Sequence, residues 1–336
     1  MINQKIKLVR PGLFLPFFSS EKELKNKIIV RPTVLSICAA DQRYFRGSRP
    51  AEILKAKLPM CLIHEGIGQV IFDPQSKYKA GQNVILLPNG GGDDQFQNYS
   101  SNSYFRSSSA DGFTQEFIGL EGKELISFNN SHSKYYVFAE LLSVCFQAIT
   151  RIPNAVWTRS NSIGIWGDGV VGYLLSLCIK REYPDLNVTI FGKHEEKLLL
   201  FSHADDLKII GTTTPSGSEF DIAFEAVGGA KAGDAINQII ELVKPCSYVC
   251  LTGVSEFPVP INTRKILEKG LSIIGTTRSL RRDFLKARGF LEKTADFSIF
   301  DKIISDYLPV GSSEDLTQAF YSDQKTPYKT LIDWNI

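Results

Sequence analysis

The sequence predicts an α/β protein with one domain rich in β-strands and one domain built on a parallel sheet. Its 336 residues exceed one ordinary core and suit two domains of about 150 residues each. Short apolar runs separated by Gly, Pro and polar turns fill roughly the first 145 residues, a pattern typical of strands. From about residue 160, strands alternate with helices, which predicts a parallel sheet covered on both faces.

The composition gives no sign of a nucleic-acid or membrane partner. The chain is 43% hydrophobic and 22% charged with a net charge of +2, and no apolar run approaches the roughly 18 residues that span a bilayer. The N-terminus has no signal-peptide cleavage pattern, so we expect a cytoplasmic protein. The six cysteines are scattered without a CxxC pair, which predicts reduced thiols and no four-cysteine zinc site.

The β-rich part contains the clearest strand patterns together with one long polar segment. The strand patterns are "NKIIVRPTVLSIC" (26–38), "EGIGQVIF" (65–72) and "QNVILLP" (82–88). The segment 88–112 is rich in Gly, Ser, Asn and Asp and predicts a long loop, either functional or a surface excursion. In "KLPMCLIHEGIGQVIF", His64 and Glu65 stand in an apolar run that reads as a strand, where burial makes an unpaired polar group costly.

The second half of the chain reads as strand and helix in turn. The predicted strands are "LKIIG" (207–211), "FDIAFEAV" (220–227), "SYVCLTGV" (247–254) and "LSIIGTT" (271–277). Apolar residues at helical spacing predict a helix in "KAGDAINQIIELV" (231–243). The chain closes with a predicted helix, "SEDLTQAFYS" (313–322), and a predicted strand, "KTLIDW" (329–334).

A glycine turn points to a dinucleotide. "GIWGDGVVG" follows an apolar strand, opens a helix and carries the GxGxxG spacing, as the dinucleotide fingerprint requires. Glycine lets the turn close, lets a pyrophosphate approach the backbone and lets helix and strand pack closely. The other interpretation is a tight turn without a ligand. The predicted cofactor residues here are Gly167, Asp168, Gly169, Val170, Val171 and Gly172.

The end of the next strand favours NADP(H) over NAD. An NAD site usually carries Asp or Glu about 20 residues after the glycine turn. This chain has Gly192 followed by Lys193 there, and a lysine attracts a ribose phosphate that a carboxylate would repel. Both residues are therefore predicted to contact the cofactor, although Lys193 could also serve only to solvate the surface.

Three separated residues suggest a zinc site. Cys38 follows an apolar strand, His64 lies 26 residues later, and Glu140 stands at a probable helix start. Cysteine, histidine and carboxylate side chains make a plausible catalytic zinc set. Taken singly, each of these residues is as well explained by core packing.

With these motifs in place, the sequence resembles the zinc-dependent medium-chain dehydrogenases. The resemblance is carried by "SICAADQRYF", "LIHEGIGQV", "AELLSVCFQAI", "GIWGDGVVG" and "LTGV". It implies a GroES-like catalytic domain, residues 1–148 and 281–336, with an inserted Rossmann domain, residues 149–280. It also implies that Cys38 and His64 bind zinc with a carboxylate. Glu140 matches the third ligand of polyol dehydrogenases and Glu65 a carboxylate that approaches the zinc, and the choice of direct ligand stays open.

Within that superfamily the sequence is similar to the ribulose-5-phosphate reductases. The carrying motifs are "RPTVLSICAADQRYF", "NSYFRSSSADGF", "IWGDGVVGY", "TIFGKHEEKL" and "LTGVSEFPVPINTR". The resemblance implies NADPH-dependent reduction of D-ribulose 5-phosphate to D-ribitol 5-phosphate, a precursor of CDP-ribitol for wall teichoic acid or capsule. It further implies a homodimer or tetramer and a functional neighbour that is a ribitol-5-phosphate cytidylyltransferase. One alternative is an NAD-dependent dehydrogenase of free polyols such as sorbitol or xylitol. Another is a zinc-less reductase or a non-enzymatic nucleotide-binding protein of the same fold.

The sequence departs from the superfamily pattern in two ways. The loop 88–112 lacks the four cysteines of the structural zinc lobe, so we expect one zinc per chain. Ala40 replaces the Ser or Thr that usually begins the proton relay, so the alcohol proton needs another route. The candidates for that route are Asp41, Tyr44, Glu65 and a zinc-bound water.

The substrate and cofactor phosphates need further partners. Arginine suits a phosphate because it can donate paired N–H bonds. Of four arginines in polar segments of the catalytic half, we favour Arg43, Arg49 and Arg106 as substrate-phosphate ligands, while Arg46 is the fourth. Gly253, in the "LTGV" turn, and Lys329, in the closing strand, complete the predicted cofactor contacts.

Overall fold

The protein is described by a computed structural model that covers residues 2–20, 24–92, 98–129, 132–211 and 219–336. The chain divides into two compact units. The first unit comprises Met1–Ser143 and Arg278–Ile336, and the second comprises Val144–Thr277. The predicted fold class is confirmed: one unit is β-rich and the other contains a parallel sheet. The domain boundaries after residues 148 and 280, which the resemblance implies, stay a prediction.

The first unit combines sheets with short helices. In chain order its elements are β1 (Ile2–Arg10), β2 (Leu13–Ser20), β3 (Ile28–Ser36), α1 (Ala39–Phe45), α2 (Ala51–Lys57), β4 (Glu65–Phe72), β5 (Asn83–Leu86), β6 (Asn89–Gly90), β7 (Tyr104–Phe105), β8 (Ile118–Leu120) and β9 (Leu125–Ser127). Helix α3 (Ala139–Arg151) contains the boundary between the units. The chain returns with α9 (Arg281–Glu292), α10 (Ser298–Asp301), β16 (Ile304–Val310), α11 (Ser313–Asp323) and β17 (Lys329–Trp334).

The main sheet of the first unit brings distant segments together. Its strand order is β16-β17-β3-β4-β5-β9, with β8 also pairing β3. Strand β3 runs antiparallel to both β4 and β17. Ser36 on β3 is the partner of Glu65 on β4 and of Leu331 on β17. The end of β3, the start of β4 and the start of β17 therefore meet at one place.

An apolar core packs against this sheet. Leu35, Leu86 and Phe113 are fully buried within it. The rings of Phe14 and Phe45 stack, and Phe320 packs against both at a tilt. Burial of one such side chain contributes about 1.5–3 kcal/mol. The predicted loop 88–112 contains the short ribbon β6–β7, while residues 93–97 of that prediction lie outside the described residues.

The second unit alternates strands and helices. Its elements are α4 (Asn154–Trp157), β10 (Ser162–Trp166), α5 (Val170–Glu182), β11 (Asn187–Gly192), α6 (Glu195–Leu198), β12 (Asp206–Ile209), β13 (Phe220–Glu225), α7 (Ala232–Leu242), β14 (Val243–Leu251), α8 (Thr263–Lys269) and β15 (Ser272–Gly275). All neighbouring strands pair in parallel, in the order β12-β11-β10-β13-β14-β15. The order reverses at β10, which is the doubly wound pattern in which ligands bind beyond the carboxyl ends of the strands.

Aromatic packing holds the second sheet. The rings of Trp166 and Phe191 stack at 4.0 Å, and Phe220 meets both rings edge-on. Helix α7 covers this cluster through buried residues such as Ile239. Among the described residues, no helix has both the length and the apolar character needed to cross a membrane.

Candidate metal and cofactor sites

Three side chains that can bind a metal ion come together in the first unit. Donor atoms of Cys38, His64 and Glu65 all lie within 4.8 Å of one another. His64 and Glu65 are buried, and Cys38 is partly buried. Within the described part of the chain, this is the one group of His, Cys, Asp and Glu side chains with such spacing. Two of the predicted ligands, Cys38 and His64, therefore lie together with one of the two candidate carboxylates.

The register of the sheet explains why these residues meet. Glu65 begins β4 and pairs with Ser36 on β3, two residues before Cys38. Antiparallel partners lie about 4.5–5.5 Å apart, so the pairing delivers His64 and Glu65 to the end of β3. Cys38 occupies the N-cap position of α1, where the chain leaves the sheet.

The backbone just before His64 is strained. Ile63 has a φ of +66°, a conformation that is an outlier for a β-branched residue. Its N–H donates to Asp41 Oδ1 at 3.0 Å, and its carbonyl oxygen accepts from the Phe113 N–H at 2.8 Å. Strain of this kind persists where the surroundings fix it and it is common at functional sites. Here it aims the His64 ring at Asp41 and Cys38.

Asp41 holds both ends of this arrangement. Its carboxylate is fully buried, Oδ2 accepts from the Cys38 N–H at 3.1 Å, and Oδ1 lies 3.5 Å from His64 Nδ1. Burial raises the pKa of Asp41, but His64 and the hydrogen bonds outweigh burial and bring the pKa below its ordinary value. Asp41 therefore stays ionised and orients His64, leaving Nε2 for a metal. This position does not favour the predicted role in proton transfer.

Lys329 pairs with Glu65 inside the same cluster. Its Nζ donates to Glu65 Oε1 and to the Ile37 carbonyl oxygen, both at 2.7 Å. Burial lowers the pKa of Lys329, but the charge of Glu65, the hydrogen bond to it and the nearby Cys38 and Asp323 together outweigh burial and raise the pKa. The other carboxylate oxygen, Glu65 Oε2, is buried and meets no hydrogen-bond donor among the described residues. The ammonium group is thus committed to Glu65 and Ile37, which does not favour its predicted contact with cofactor phosphates.

Glu140 is a second buried carboxyl group near the cluster. It lies in the first turn of α3 and is outside the group within 4.8 Å. Burial, together with the charge of Glu65, raises the pKa of Glu140 to about 7. The present geometry therefore groups Glu65, rather than Glu140, with Cys38 and His64.

The remaining predicted residues of the first unit have varied environments. Tyr44 packs in the apolar core, with the Arg49 guanidinium 4.6 Å above its ring. Arg106 is buried, and its Nη2 donates to Glu124 Oε1 at 3.2 Å. Arg43 is partly buried on α1. A core position does not favour Tyr44 as a proton carrier, and an internal ion pair does not favour Arg106 as a phosphate ligand.

In the second unit, the glycine turn has the geometry that a dinucleotide site requires. Gly167 has a φ of +137°, and a Cβ there would lie 2.7 Å from the Ala226 carbonyl oxygen. A Cβ on Gly172 would lie 2.1 Å from the Gly167 carbonyl oxygen, so helix α5 can approach the turn only with glycine. A Cβ on Gly169 would meet nothing within 4 Å. Gly169 thus leaves open space, as a glycine that faces a ligand does. Val170 and Val171 begin α5 beside it.

Asp168 ties the glycine turn to the end of β11. Its Oδ2 accepts from the backbone N–H groups of Lys193 at 2.7 Å and His194 at 2.9 Å, and lies 2.9 Å from His194 Nδ1. A Cβ on Gly192 would lie 2.7 Å from Asp168 Cβ, which explains the glycine. The side chains of Lys193 and His194 stay exposed. Two basic side chains therefore stand at the strand end where the sequence lacks the usual acid.

Gly253 lies in a second close contact at the carboxyl edge of the sheet. Buried Glu225 accepts from the N–H groups of Val227, Gly228 and Gly253 at 2.7–3.1 Å. A Cβ on Gly253 would lie 2.4 Å from the Gly228 nitrogen. Glu225 therefore clamps the loops that follow β13 and β14.

Comparison with known proteins agrees with this architecture. Residues 24–130 match the family described as Alcohol dehydrogenase GroES-like domain. Ribulose-5-phosphate reductase of Bacillus spizizenii and ribulose-5-phosphate reductase 1 of Staphylococcus aureus are each 40% identical to the chain. These alignments cover 100% of both sequences for the first and 99% for the second. The crystal structure of S. aureus TarJ in complex with NADPH superposes with a TM-score of 0.89 at 36% identity, over 100% of both chains.

The chain belongs to the ribulose-5-phosphate reductase family. It is a medium-chain oxidoreductase, as the resemblance implied. An Escherichia coli L-idonate 5-dehydrogenase shares the fold, with a TM-score of 0.86 at 20% identity over 99% and 98% of the two chains.

In this member of the ribulose-5-phosphate reductase family, the side chains of Cys38, His64 and Glu65 suit a zinc ion. Thiolate, imidazole and carboxylate are zinc ligands, and the cluster presents one of each. Glu65 Oε2 is a buried acceptor that lacks a donor among the described residues, which is what a site for a cation leaves behind. The donor set and the orphan oxygen therefore both suit zinc.

Several contacts of this protein were not predicted from the sequence. They are the pairing of Lys329 with Glu65, the anchoring of His194 by Asp168, the clamp made by Glu225, and a hydroxyl bonded to Asp41. Only the contact of Asp168 with His194 had a signal in the sequence. A carboxylate inside a glycine turn that binds phosphate is unfavourable unless a donor or a positive charge neutralises it. The other contacts join segments whose register the sequence does not encode locally.

Proposed function

We propose that the protein reduces D-ribulose 5-phosphate to D-ribitol 5-phosphate with NADPH at a single zinc centre. The observation that carries the proposal is full-length identity of 40% to proteins named ribulose-5-phosphate reductase, combined with the Cys38, His64 and Glu65 cluster. The NADPH in the TarJ crystal structure and the basic end of β11 support the choice of cofactor.

Zinc would be held by Cys38, by His64 through Nε2, and by one of the two buried carboxylates. When bound, NADPH supplies the hydride and zinc supplies Lewis-acid stabilisation of the developing alkoxide. Asp41 keeps the His64 ring oriented, and Lys329 holds Glu65 by one oxygen so that Oε2 stays available. Of the predicted proton carriers, Glu65 would fill that role only if Glu140 binds the zinc, because Oε2 does not bind a metal and carry a proton at the same time.

The third zinc ligand can be assigned with two matched substitutions. Glu65→Gln and Glu140→Gln each replace one buried carboxyl group near the cluster by an amide of the same shape. We propose Glu65 as the ligand on its present geometry. Zinc per chain should then fall in Glu65→Gln and persist in Glu140→Gln. The reverse result would make Glu140 the ligand and leave Glu65 Oε2 for proton transfer.

The substrate phosphate would be bound by Arg43 and Arg49. Arg43 lies on α1, the helix that begins next to Cys38, and Arg49 follows the same helix. Arg106 is less suited to this role because its guanidinium donates to Glu124 and to the Asp111 carbonyl oxygen. Arg43→Gln and Arg49→Gln should raise the KM for the phosphorylated ketose, whereas slow turnover of an unphosphorylated ketose should be unchanged.

The test of the reaction is NADPH oxidation with ribulose 5-phosphate against a panel of unphosphorylated ketoses, run in parallel with NADH. Preference for ribulose 5-phosphate and NADPH supports the proposal. If the protein oxidises sorbitol or xylitol with NAD and does not reduce ribulose 5-phosphate, it is a dehydrogenase of free polyols instead. Turnover without metal would select a reductase of the same fold that does not need zinc.

The cellular setting follows from the proposed product. Ribitol 5-phosphate would be consumed by a cytidylyltransferase to make CDP-ribitol for wall teichoic acid or capsule, which we place in the cytoplasm. We also propose a homodimer or tetramer, as the resemblance implies. Sedimentation analysis measures the oligomeric state. Formation of CDP-ribitol when the purified protein is incubated with a ribitol-5-phosphate cytidylyltransferase, CTP, ribulose 5-phosphate and NADPH tests whether the product feeds the next reaction.

A further inference from the structure

A serine from the loop after β7 contacts the aspartate that orients His64. Ser107 is buried, and its Oγ donates to Asp41 Oδ1 at 2.5 Å. Its φ of +61° lies in the left-handed region that few serines adopt. A serine held in such a conformation with its hydroxyl directed at a buried carboxylate indicates a specific contact rather than loop filling.

The oxygen that Ser107 contacts is crowded. Asp41 Oδ1 accepts from Ser107 Oγ at 2.5 Å and from the Ile63 N–H at 3.0 Å, and it faces His64 Nδ1 at 3.5 Å. A carboxylate oxygen has about two lone-pair sites. Two donors closer than the imidazole therefore already occupy that oxygen, and His64 is left with the longest of the three contacts.

We propose that Ser107 restrains the interaction between Asp41 and His64 and thereby sets how strongly His64 donates electron density to the metal. A carboxylate bonded to a metal-binding histidine raises the basicity of that ligand. By drawing on the same oxygen, the Ser107 hydroxyl weakens this effect, which keeps the bound metal more electron-poor towards a carbonyl oxygen. Ser107 is a positioning residue, and the inference rests on the proposed metal site.

The neighbouring serine provides a control within the same loop. Ser108 Oγ accepts from Lys57 Nζ at 3.2 Å. Ser107 also makes a backbone hydrogen bond, from its N–H to the Ala110 carbonyl oxygen at 2.9 Å. That bond survives substitution of the side chain, so loss of the hydroxyl can be separated from loss of the loop.

The experiment compares Ser107→Ala, Ser107→Gly and Ser108→Ala in the zinc-loaded protein. Alanine keeps the left-handed strain and glycine relieves it, yet both remove the hydroxyl. The chain has four histidines, so the His64 Nδ1–H proton can be followed by NMR after ¹⁵N-histidine labelling, with His64→Asn for assignment. In both Ser107 variants this resonance should move downfield, because the imidazole N–H comes closer to Asp41. Ser108→Ala should leave it in place.

Zinc release to a chromophoric chelator gives an independent readout. A stronger Asp41–His64 contact should slow release several-fold, less than the roughly 10–100-fold change that follows loss of an outer partner. An unmoved His64 resonance, or faster zinc release, in both Ser107 variants would overturn the inference. A shift in Ser107→Ala but not in Ser107→Gly would trace the effect to backbone strain and also overturn it. If the wild-type protein takes up no zinc, the proposed metal site itself fails.

Discussion

The glycine turn and the proposed metal site, formed by Cys38, His64 and Glu65, are built in different ways. The turn lies within one continuous stretch, Gly167 to Gly172, and the close approach of Gly172 to Gly167 is local, although Gly167 also packs against Ala226. The metal cluster draws Cys38, His64 and Glu65 from separate segments and rests on buried charges. A local motif can therefore be recognised from contiguous residues, whereas the shape of a distributed site depends on strand register and ion pairing.

The largest expected effect comes from the thiol of the metal cluster. Cys38→Ser should reduce zinc to background and lower turnover at least about a hundredfold, because a Lewis acid contributes several kcal/mol to transition-state stabilisation. Cys246→Ser is the matched control, since Cys246 is exposed and lies in the second unit. Metal analysis and NADPH oxidation on the same samples measure both effects. Zinc retained in Cys38→Ser would remove the thiol from the site.

The second-largest effect should come from the ion pair between Lys329 and Glu65. Lys329→Met leaves the buried Glu65 charge without its partner and should lower the free energy of unfolding of the zinc-free protein by about 3–5 kcal/mol. Denaturant titration followed by tryptophan fluorescence measures the loss. The double variant Lys329→Met with Glu65→Gln should recover most of that stability. Equal stability of the single variant and the wild type would mean that Glu65 is not charged in the fold.

The glycine turn can be tested with two alanines that differ in what the added methyl group meets. Gly169→Ala faces open space and should leave the melting temperature unchanged while weakening NADPH about tenfold, since a steric clash costs about 1–3 kcal/mol. Gly172→Ala collides with the turn itself and should lower both the melting temperature and NADPH affinity. Calorimetry and fluorescence titration separate these outcomes. Unaltered NADPH affinity in Gly169→Ala would place the cofactor elsewhere.

The smallest effect should come from the basic end of β11. His194→Gln should weaken binding of NADPH relative to NADH by up to about fivefold, because a contact between an exposed basic side chain and a phosphate contributes about 1 kcal/mol or less. Glu195→Gln, one residue further and exposed, serves as the control. Dissociation constants of both dinucleotides give the ratio. A change of the same size for NADH would show that His194 does not recognise the additional phosphate.

The fold and the local motifs could be predicted because their signals lie in contiguous residues. The closing strand from Lys329 and the strand from Glu65 fall within the predicted segments, and the glycine spacing indicated the turn at Gly167. The partner of Lys329 could not be predicted, since Ile37 and Lys329 are 292 residues apart and meet only through the register of β3 and β17.

The predicted roles of charged residues depended on information that the sequence does not contain. Asp41 was a candidate for proton transfer, and only the fold reveals that it bonds Cys38, Ile63 and Ser107 at once. Arg106 was a candidate for phosphate binding, but in the fold its guanidinium donates to Glu124. In both cases the residue type was informative, but its partners are set by tertiary packing.

The central claim is that one zinc ion held by the Cys38 cluster is required for reduction of ribulose 5-phosphate by NADPH. The most direct measurement is zinc per chain and NADPH oxidation on one preparation, before chelation, after dialysis against a chelator, and after zinc is restored. We expect close to one zinc per chain, loss of turnover with the metal, and recovery of both together. Full turnover in the metal-free protein would contradict the account.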